Sequence, residues 1–421
     1  MTDDHLPLPL RYLLAARRSE LRGLEELART CELVGVTSQL VHALQKERGY
    51  ANLYLGQPHT PLLNTLNGLT DAAQAHETHV RHCLQHVDPA AEHGPDQARL
   101  LSRVADVLYR LDELPRLRRR IRDQGVDGDS ATQSFTRLIA ALLSLVFEAA
   151  DTALDPELTR TLVALFNLLQ GKELSGQERA CGTAGFSAGY FTDAQKAQLR
   201  HLGDAQERCF AVFAQHAGDD VLRAWTPIAA DQSRVQPLRD IAWRTSPAQP
   251  VDPGLAQTWF DLLTERIDAM KTVDNLLVQT LLQRSQARLV QTRRELENHR
   301  VLSRRLAEQV DEPDLPRVFS LQEHVLDAAP QDGVGSQMAR SLLDLVQTQA
   351  QRLQQVSHEL DEARSSLAER KTVEQAKAWL IRHLRMTEAA AHERLQQAAM
   401  QSGRRLADVA QEILTEARKQ R

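Results

Sequence analysis

The chain has 421 residues, of which 42% are hydrophobic and 25% charged, so it can bury the cores of two or more domains. The formal net charge of −5 excludes a uniformly basic nucleic-acid-binding protein. Aromatic residues make up only 4%, which argues against an aromatic-rich β architecture. No run of about 18 consecutive apolar residues occurs, so no membrane-spanning helix is expected, and the N-terminal residues do not resemble a signal peptide.

The charge is distributed unevenly along the chain. Residues 370–421 contain 11 Lys or Arg and 6 Asp or Glu, hence +5, so the preceding residues carry −10. A basic tail on an acidic body predicts that only the tail contacts a polyanion. The four cysteines are widely spaced and form no C-x-x-C pair, which is typical of a protein of the reducing cytoplasm.

Residues 10–310 are predicted to form roughly eight helices, because apolar residues recur at helical spacing and alternating strands are scarce. Short connections between Leu-rich helices indicate an all-α fold of antiparallel bundles, here called the N-terminal body, which spans residues 1–310. Its last helix is predicted to run from near Gly254 to about Val310. Breaks are expected where Pro, Gly and Asp cluster, at 57–59, 88–89, 125–129, 155–156, 246–254 and 312–313.

Beyond this body the pattern changes twice. Residues 311–337 contain several Pro and Gly residues and are predicted to be a linker. Residues 338–369 favour a parallel coiled coil that makes the protein a homodimer, with an amphipathic helix packed on its own chain as the alternative. The apolar positions of this heptad pattern are Val346, Leu353, Leu360 and Leu367.

Residues 366–421 are predicted to form three short helices. The first carries Val373, Ala376, Leu380 and Leu384 on one face, and the second ends at Gly403. Helices of this length are marginal alone, so the three are expected to pack together as a small domain.

Three segments of this small domain, 369–380, 394–400 and 406–410, resemble the ANTAR domain. That family is a three-helix RNA-binding module of bacterial antitermination regulators. The resemblance implies that the domain binds hairpin loops of leader RNA. A solvated basic face is the alternative, and Lys377 could instead support packing through its alkyl chain. The candidate RNA-binding residues are Lys371, Lys377, Arg382, Arg385, Arg404 and Arg405.

Three arginines of the acidic body stand out in helical segments: Arg48, Arg179 and Arg239. Small residues flank the first two, as in Glu47-Arg48-Gly49, and small residues let helices approach closely enough to enclose a guanidinium group. The alternative for these arginines is a salt bridge to a neighbouring acid such as Glu178 or Asp240.

These segments, together with residues 264–268, resemble the NIT domain across roughly residues 35–295. That family is an all-helical nitrate- and nitrite-sensing domain of bacterial regulators. The resemblance implies nitrate or nitrite as the effector ligand and no further cofactor. In the family, one arginine of the first core helix and one of a later helix are implicated in binding the ligand. By this resemblance Arg48 is assigned as the first nitrate-binding arginine and Arg239 as the second, with Arg179 as the alternative to Arg239.

A NIT domain joined to an ANTAR domain is the arrangement of nitrate-responsive antitermination regulators. The expected function is therefore a cytoplasmic, non-enzymatic regulator that binds leader RNA of nitrate-assimilation genes when nitrate is bound. The acidic body is expected to mask the basic domain until then. A constitutive helical scaffold that dimerises and has a non-specific basic tail is the alternative.

An enzyme finds little support in the sequence. Glycine-rich phosphate loops and hydrolase or metalloprotease motifs are absent. A His-rich helical segment has the residue types of a metal site, but no second cluster supplies remote ligands, so no metal is predicted. The segment contains His76, His79, His82, Cys83 and His86.

Overall fold

The computed structural model is all-helical over the residues it describes, apart from an isolated β-bridge between Ser246 and Gln249. The predicted all-α class is confirmed. The described residues are 8–56, 58–87, 95–152, 155–308, 355, 357–360, 369, 371–384, 386, 388–402 and 404–419.

The predicted linker 311–337 lies outside the described residues, and so does most of the predicted coiled coil 338–369. Of its heptad positions only Leu360 is described. The linker and the dimeric coiled coil therefore stay predictions.

The described part of the N-terminal body contains nine helices. Two of them are exceptionally long, since α1 has 49 residues and α9 has 54, or about 74 and 81 Å at 1.5 Å per residue. The helices are α1 Leu8–Gly56, α2 Thr60–Gln85, α3 Pro95–Arg122, α4 Gly128–Thr152, α5 Pro156–Ser187, α6 Asp193–His216, α7 Asp219–Ala230, α8 Gln232–Arg244 and α9 Leu255–Glu308.

Helix boundaries follow local chemistry where it is strong. At the start of α5 the Asp155 side chain accepts hydrogen bonds from the Glu157 and Leu158 amides, and Pro156 occupies the first turn. At the start of α6, Thr192 and Gln195 form a reciprocal capping box. The predicted break at 155–156 is confirmed, and α9 begins within one residue of its predicted start. Its predicted end near Val310 lies outside the described residues.

Helix α5 lies at the centre of the body. It packs against α6 and α9 along most of its length, while α1 packs against α2, α4 and α9. Leu162, Leu165 and Leu169 of α5 are fully buried in the main core. The charged side chains in the middle of α5, from Lys172 to Arg179, are therefore withdrawn from water and need partners inside the protein.

Residues Gly128–Glu148 of α4 are long and apolar enough to cross a membrane by length and composition alone, with mean hydropathy 1.3. About half of this stretch is buried within the protein. Phe135, Ile139 and Leu142 are fully buried in the main core, which accounts for the apolar character of the helix.

The C-terminal domain consists of α10 (residues 371–384), α11 Glu388–Ser402 and α12 Leu406–Lys419. Ala376, Leu380 and Leu395 are among the residues of its small apolar core. Leu384, expected on the apolar face of α10, is instead 47% exposed, because it lies at the end of the helix beyond this core.

This domain also contacts the N-terminal body through α11 and α6. The ring of His392 on α11 lies edge-on to that of His201 on α6, with 5.6 Å between the ring centroids. His392 is buried, so one side of α11 faces the body rather than solvent.

A buried ionic cluster joins α1, α5 and α9. The carboxylate of Asp274 accepts hydrogen bonds from Lys172 Nζ at 2.7 Å, Lys271 Nζ at 2.9 Å and Ser38 Oγ at 2.5 Å. Burial alone would raise the pKa of Asp274, but the two ammonium groups outweigh it and lower the pKa to about 2. The one carboxylate thus holds two buried cations in place.

Substituting Asp274→Asn is expected to lower the free energy of unfolding by about 3–5 kcal/mol, because two lysines would be left buried without a counterion. Urea denaturation followed by circular dichroism at neutral pH measures this loss. A loss below about 1 kcal/mol, the size of an exposed ion pair, would contradict the proposed importance of the cluster.

Acid should weaken the same cluster by protonating the carboxylate of Asp274. Because the pKa of Asp274 is lowered from 3.8 to about 2 in the folded protein, its stabilisation is complete above pH 4 and is lost as the pH falls towards 2. Comparing wild type with Asp274→Asn isolates this contribution, since the difference in unfolding free energy between them should shrink across that interval.

Candidate anion site and nucleic-acid interface

Arg48 of α1 is buried against the middle of α5. Its Nη1 donates to Glu173 Oε1 at 2.6 Å and its Nη2 to Glu173 Oε2 at 3.1 Å, so the guanidinium and the carboxylate form a two-point pair. Nη1 also donates to the hydroxyl of Thr136 on α4 at 2.8 Å. Only 3% of Arg48 is exposed, and Glu173 is equally buried.

Two amide side chains complete the surroundings of this carboxylate. Gln45 Nε2 donates to Glu173 Oε2 at 2.9 Å, and Gln177 Nε2 donates to Oε1 at 3.0 Å. Each oxygen therefore receives two hydrogen bonds, one from Arg48 and one from an amide. The result is a set of four donors arranged around one flat anionic group.

Arg179, on the same helix as Glu173, lies close to Arg48 but lacks an acidic partner. Its Nη1 donates to the hydroxyl of Thr264 on α9 at 2.7 Å, and its guanidinium carbon lies 4.7 Å from the ring centroid of Phe260. Within the described residues no carboxylate forms an ion pair with it. Burial and the neighbouring Arg48 lower the pKa of Arg179 to about 10, so it is still charged at neutral pH.

Two glycines allow the two guanidinium groups to approach each other's helices. A Cβ atom on Gly176 of α5 would lie 2.8 Å from Arg48 Nη2, and one on Gly49 of α1 would lie 2.7 Å from Arg179 Nη2. Each arginine thus lies over the glycine of the opposite helix. The small residues beside these arginines have the role that the sequence analysis expected of them.

Arg239 lies in a different cluster. Its Nε and Nη2 donate to the two carboxylate oxygens of Glu178 at 2.6 and 2.9 Å, the salt bridge that the sequence left open as an alternative. Burial opposes its charge, but Glu178 outweighs burial and raises the pKa of Arg239. Glu173 and Glu178 are five residues apart on α5, which places them about 140° apart around the helix. The structure therefore brings Arg48 together with Arg179 and not with Arg239.

Arg266 of α9 was not singled out as a site residue from the sequence. It is only 2% exposed, and its Nε and Nη1 have no hydrogen-bond partner among the residues that the structure describes. Burial and the charge of nearby Arg239 lower its pKa. Its position within the segment 264–268 was the available signal, because that segment belongs to the pattern resembling the NIT domain.

Sequence reasoning also missed Glu173. Neither its residue type nor its spacing from Arg48, 125 positions away in the chain, marks it as the partner. The signal was indirect, because Glu173 lies in the same segment as the flagged Arg179.

The predicted RNA-binding residues differ in accessibility. Arg382 of α10 is exposed, and Arg404 and Arg405 are exposed at the turn before α12. Lys371 at the start of α10 is half-buried. These cations form a discontinuous basic surface, and three of them are accessible to phosphate groups.

Two further predicted residues are not on that surface. Lys377 is buried, and its Nζ lies 2.8 Å from Glu374 Oε1, which fits the alternative that its alkyl chain supports packing. Arg385 lies outside the described residues. Arg405, although 71% exposed, pairs with Glu369 at 2.7 Å and with Asp408 at 3.2 Å, so phosphates would compete with these carboxylates.

The His-rich segment on α2 does not gather metal ligands. His79 Nδ1 and His86 Nδ1 each lie 2.8 Å from a backbone carbonyl oxygen of the preceding turn. Over the part of the chain that the structure describes, no three His, Cys, Asp or Glu side chains come together as a metal site.

The fold and these sites define a class: an all-helical body with buried, incompletely neutralised arginines, joined to a small three-helix domain with exposed cations. Residues 39–282 match the family described as nitrate and nitrite sensing, and residues 361–414 match the ANTAR domain. The chain belongs to the nitrate and nitrite sensing family and carries an ANTAR domain at its C-terminal end.

One relative is similar over nearly its whole length. The chain is 32% identical over 416 residues to the nitrate regulatory protein of Klebsiella oxytoca, a match that covers 97% of this chain and 95% of that protein. A solved structure, described as that of the NasR transcription antiterminator, is 29% identical, with a TM-score of 0.61 and coverage of 98% and 99%. Both similarities span the two domains together.

The substitution Gly176→Ala is expected to lower the free energy of unfolding by about 1–3 kcal/mol, as overpacking does in a dense interior. The added methyl group would displace Arg48 Nη2 from its pair with Glu173. Urea denaturation measures the change. Gly68→Ala is the matched control, because a Cβ there meets nothing within 4 Å and should not destabilise α2. Equal stability of the two variants would show that the guanidinium is not held tightly at Gly176.

Proposed function

We propose that this protein is a nitrate-responsive regulator of transcription antitermination. In this proposal the N-terminal body binds nitrate or nitrite beside Arg48 and Arg179, and the ANTAR domain then binds leader RNA of nitrate-assimilation genes. The observation that carries it is the charge of the buried centre. The two buried guanidinium groups and the one buried carboxylate leave a surplus of one positive charge, since the next acid, Asp268, is 45% exposed and pairs with Lys46. A bound monoanion would neutralise this surplus.

The shape of the ligand suits these groups. Nitrate is a flat monoanion, and a guanidinium group is flat, permanently charged and presents paired N–H donors. Two such groups from α1 and α5 can hold the edges of one small planar ion. Sulfate is tetrahedral and doubly charged, so it would fit less well and would leave a net negative charge. Nitrite shares the planar shape, and therefore both ions are proposed as effectors.

Arg239 was the first choice for the second ligand from the sequence, and it is kept as the competing candidate. Its pair with Glu178 already satisfies two of its donors, whereas among the described residues the guanidinium of Arg179 donates one hydrogen bond, to the uncharged hydroxyl of Thr264. Proximity to Arg48 also favours Arg179, because each of the two guanidinium groups lies over the glycine of the opposite helix, Gly176 or Gly49.

The exposed cations of the ANTAR domain supply the attraction to RNA. Arg382, Arg404 and Arg405 can contact phosphate groups, which position RNA without reading its sequence. Specificity for leader hairpins is proposed to come from unpaired loop bases, because helical RNA hides its base edges. No chemical step is assigned to the protein, which is proposed to act as a non-enzymatic regulator.

Masking of the RNA-binding domain by the body is the proposed form of control. The contact between His392 and His201 already places α11 against α6. Residues 1–369, that is the body together with the predicted linker and coiled coil, carry −10 and residues 370–421 carry +5, so their attraction should weaken with salt. Nitrate must bind the released state more tightly, since an effector with equal affinity for both states shifts nothing. Dimerisation through residues 338–369 and a cytoplasmic location complete the proposal.

Two variants should separate the two candidate ligands in a thermal-shift titration with nitrate, nitrite, chloride and sulfate. Arg179→Met removes a buried cation that has no acidic partner, so the ligand-free protein should melt no lower than wild type. Its nitrate-induced shift should vanish, whereas nitrate at 100 times the Kd stabilises wild type by about 2.7 kcal/mol.

Arg239→Met is the matched control for that experiment. It removes the two-point ion pair of Glu178 and leaves that carboxylate with Gln206 and the nearby Arg266, so the variant should melt lower than wild type but keep the nitrate-induced shift. The opposite pattern, loss of the shift in Arg239→Met alone, would assign the site to Arg239. No nitrate shift in wild type would contradict nitrate sensing and favour the constitutive scaffold.

For RNA binding, a double substitution of Arg404 and Arg405 to Ala should weaken binding of a leader hairpin pair in the presence of nitrate. It should also reduce the slope of log affinity against log salt by about 0.7 for each phosphate that the protein no longer neutralises. Gel-shift titrations at several salt concentrations measure both quantities. Arg116→Ala, an exposed arginine of α3, is the control and should leave both unchanged.

A further inference from the structure

We propose that Glu173 is a built-in competitor for the anion site, and that it sets the affinity and selectivity of the protein for nitrate. This inference rests on the proposed function, because it concerns the site beside Arg48. The donors best suited to nitrate are already occupied in the structure. Both terminal nitrogens of Arg48 are bound to the carboxylate of Glu173.

The carboxylate resembles the ligand in shape and charge. Both are planar monoanions with at least two oxygen atoms on one central atom, a spacing that matches the paired N–H groups of a guanidinium. Gln45 and Gln177 extend the match, because they bring the donors around Glu173 to four. A site that gives the carboxylate four hydrogen bonds also fits nitrate, but nitrate must first displace the carboxylate.

Displacement of the Glu173 carboxylate from Arg48 by nitrate leaves no uncompensated charge in the site. Arg48, Arg179 and Glu173 carry one surplus positive charge, so nitrate makes the group neutral while the carboxylate stays in the pocket. Glu173 is electrostatically coupled to Arg179, which lies on the same helix and has no acid of its own. The carboxylate can therefore leave Arg48 without becoming an isolated buried charge, which would be prohibitively unfavourable.

The exchange also selects among ions. A weakly bound ion such as chloride offers a single atom and cannot satisfy four fixed donors at once. Nitrate and nitrite offer oxygens in the same plane as the carboxylate they replace. Competition with Glu173 thus raises the dissociation constant of every anion, and it raises it most for ions whose shape does not match the donors.

Displacement of Glu173 by nitrate would also change the hydrogen bonds between α1 and α5. Gln45 and Arg48 of α1 are joined to Glu173 of α5 only while the carboxylate is in place. When nitrate takes over the α1 donors, these direct bonds between α1 and α5 are broken. Ligand binding is thereby converted into a change in how the two helices are held together.

The test is isothermal titration of the full-length protein with sodium nitrate, using Glu173→Gln. This substitution keeps the size and a hydrogen-bonding oxygen but removes the competing charge. We expect nitrate to bind at least about tenfold more tightly than to wild type, a change of about one decade in Kd. Chloride binding should strengthen as well, so that selectivity for nitrate over chloride falls.

Glu178→Gln is the matched control, because it removes the other buried carboxylate of α5, which pairs with Arg239. Its nitrate affinity should stay within about twofold of wild type. Tighter binding by both variants to the same degree would overturn the proposal, since it would indicate a general effect of net charge.

A second variant covers the case in which Glu173→Gln does not fold. Glu173→Asp keeps the charge but shortens the side chain by one methylene, which withdraws the carboxylate from Arg48, so nitrate should again bind more tightly than to wild type. Weaker or unchanged nitrate binding in the folded variants would overturn the proposal. If wild type itself binds no nitrate, the result contradicts the proposed nitrate-sensing function. If wild type binds nitrate but the Glu173 variants bind it no more tightly, the result contradicts only the proposed role of Glu173.

Discussion

Burial of charge along α5 is the constraint on which the rest of the body depends. Lys172, Glu173, Glu178 and Arg179 all lie in a helix covered on most sides. A buried charge must find an opposite charge or enough hydrogen bonds, so each of these residues fixes a partner on another helix. The apolar core supplies the stability of the bundle, while these pairs determine how its helices are matched.

Three of the four buried charges of α5 form an ion pair with a residue of opposite charge on another helix, and Arg179 is the exception. Asp274 joins α9 to Lys172, Glu173 joins α5 to Arg48, and Glu178 joins α5 to Arg239. Among these four charged residues of α5, Arg179 alone forms no ion pair with a carboxylate in the described part of the chain, and it lies beside Arg48. The place where neutralisation is incomplete is thus the place where we propose that an anion from solution binds.

Much of the fold was predictable, because helical periodicity and the breaks at Pro and Gly are local properties of the sequence. The start of α9 and the break before α5 were predicted correctly. The breaks on either side of α6 were not, since they depend on capping by Thr192 and on Gly218 rather than on proline. The importance of Arg48 was visible beside its glycine, but Glu173 was not, because pairing across 125 positions leaves no local pattern.

Helix α9 has a geometric consequence. One unbroken rod carries Asp274 of the lysine cluster, Thr264 beside Arg179, and Arg266 beside Arg239, and it continues to Glu308, towards the segment that leads to the C-terminal domain. Because its backbone is continuously helical over this length, these three contact points keep fixed spacings and fixed rotational positions about a common axis. Helix α9 is therefore the frame of reference against which the charged groups of α5 and α8 are aligned.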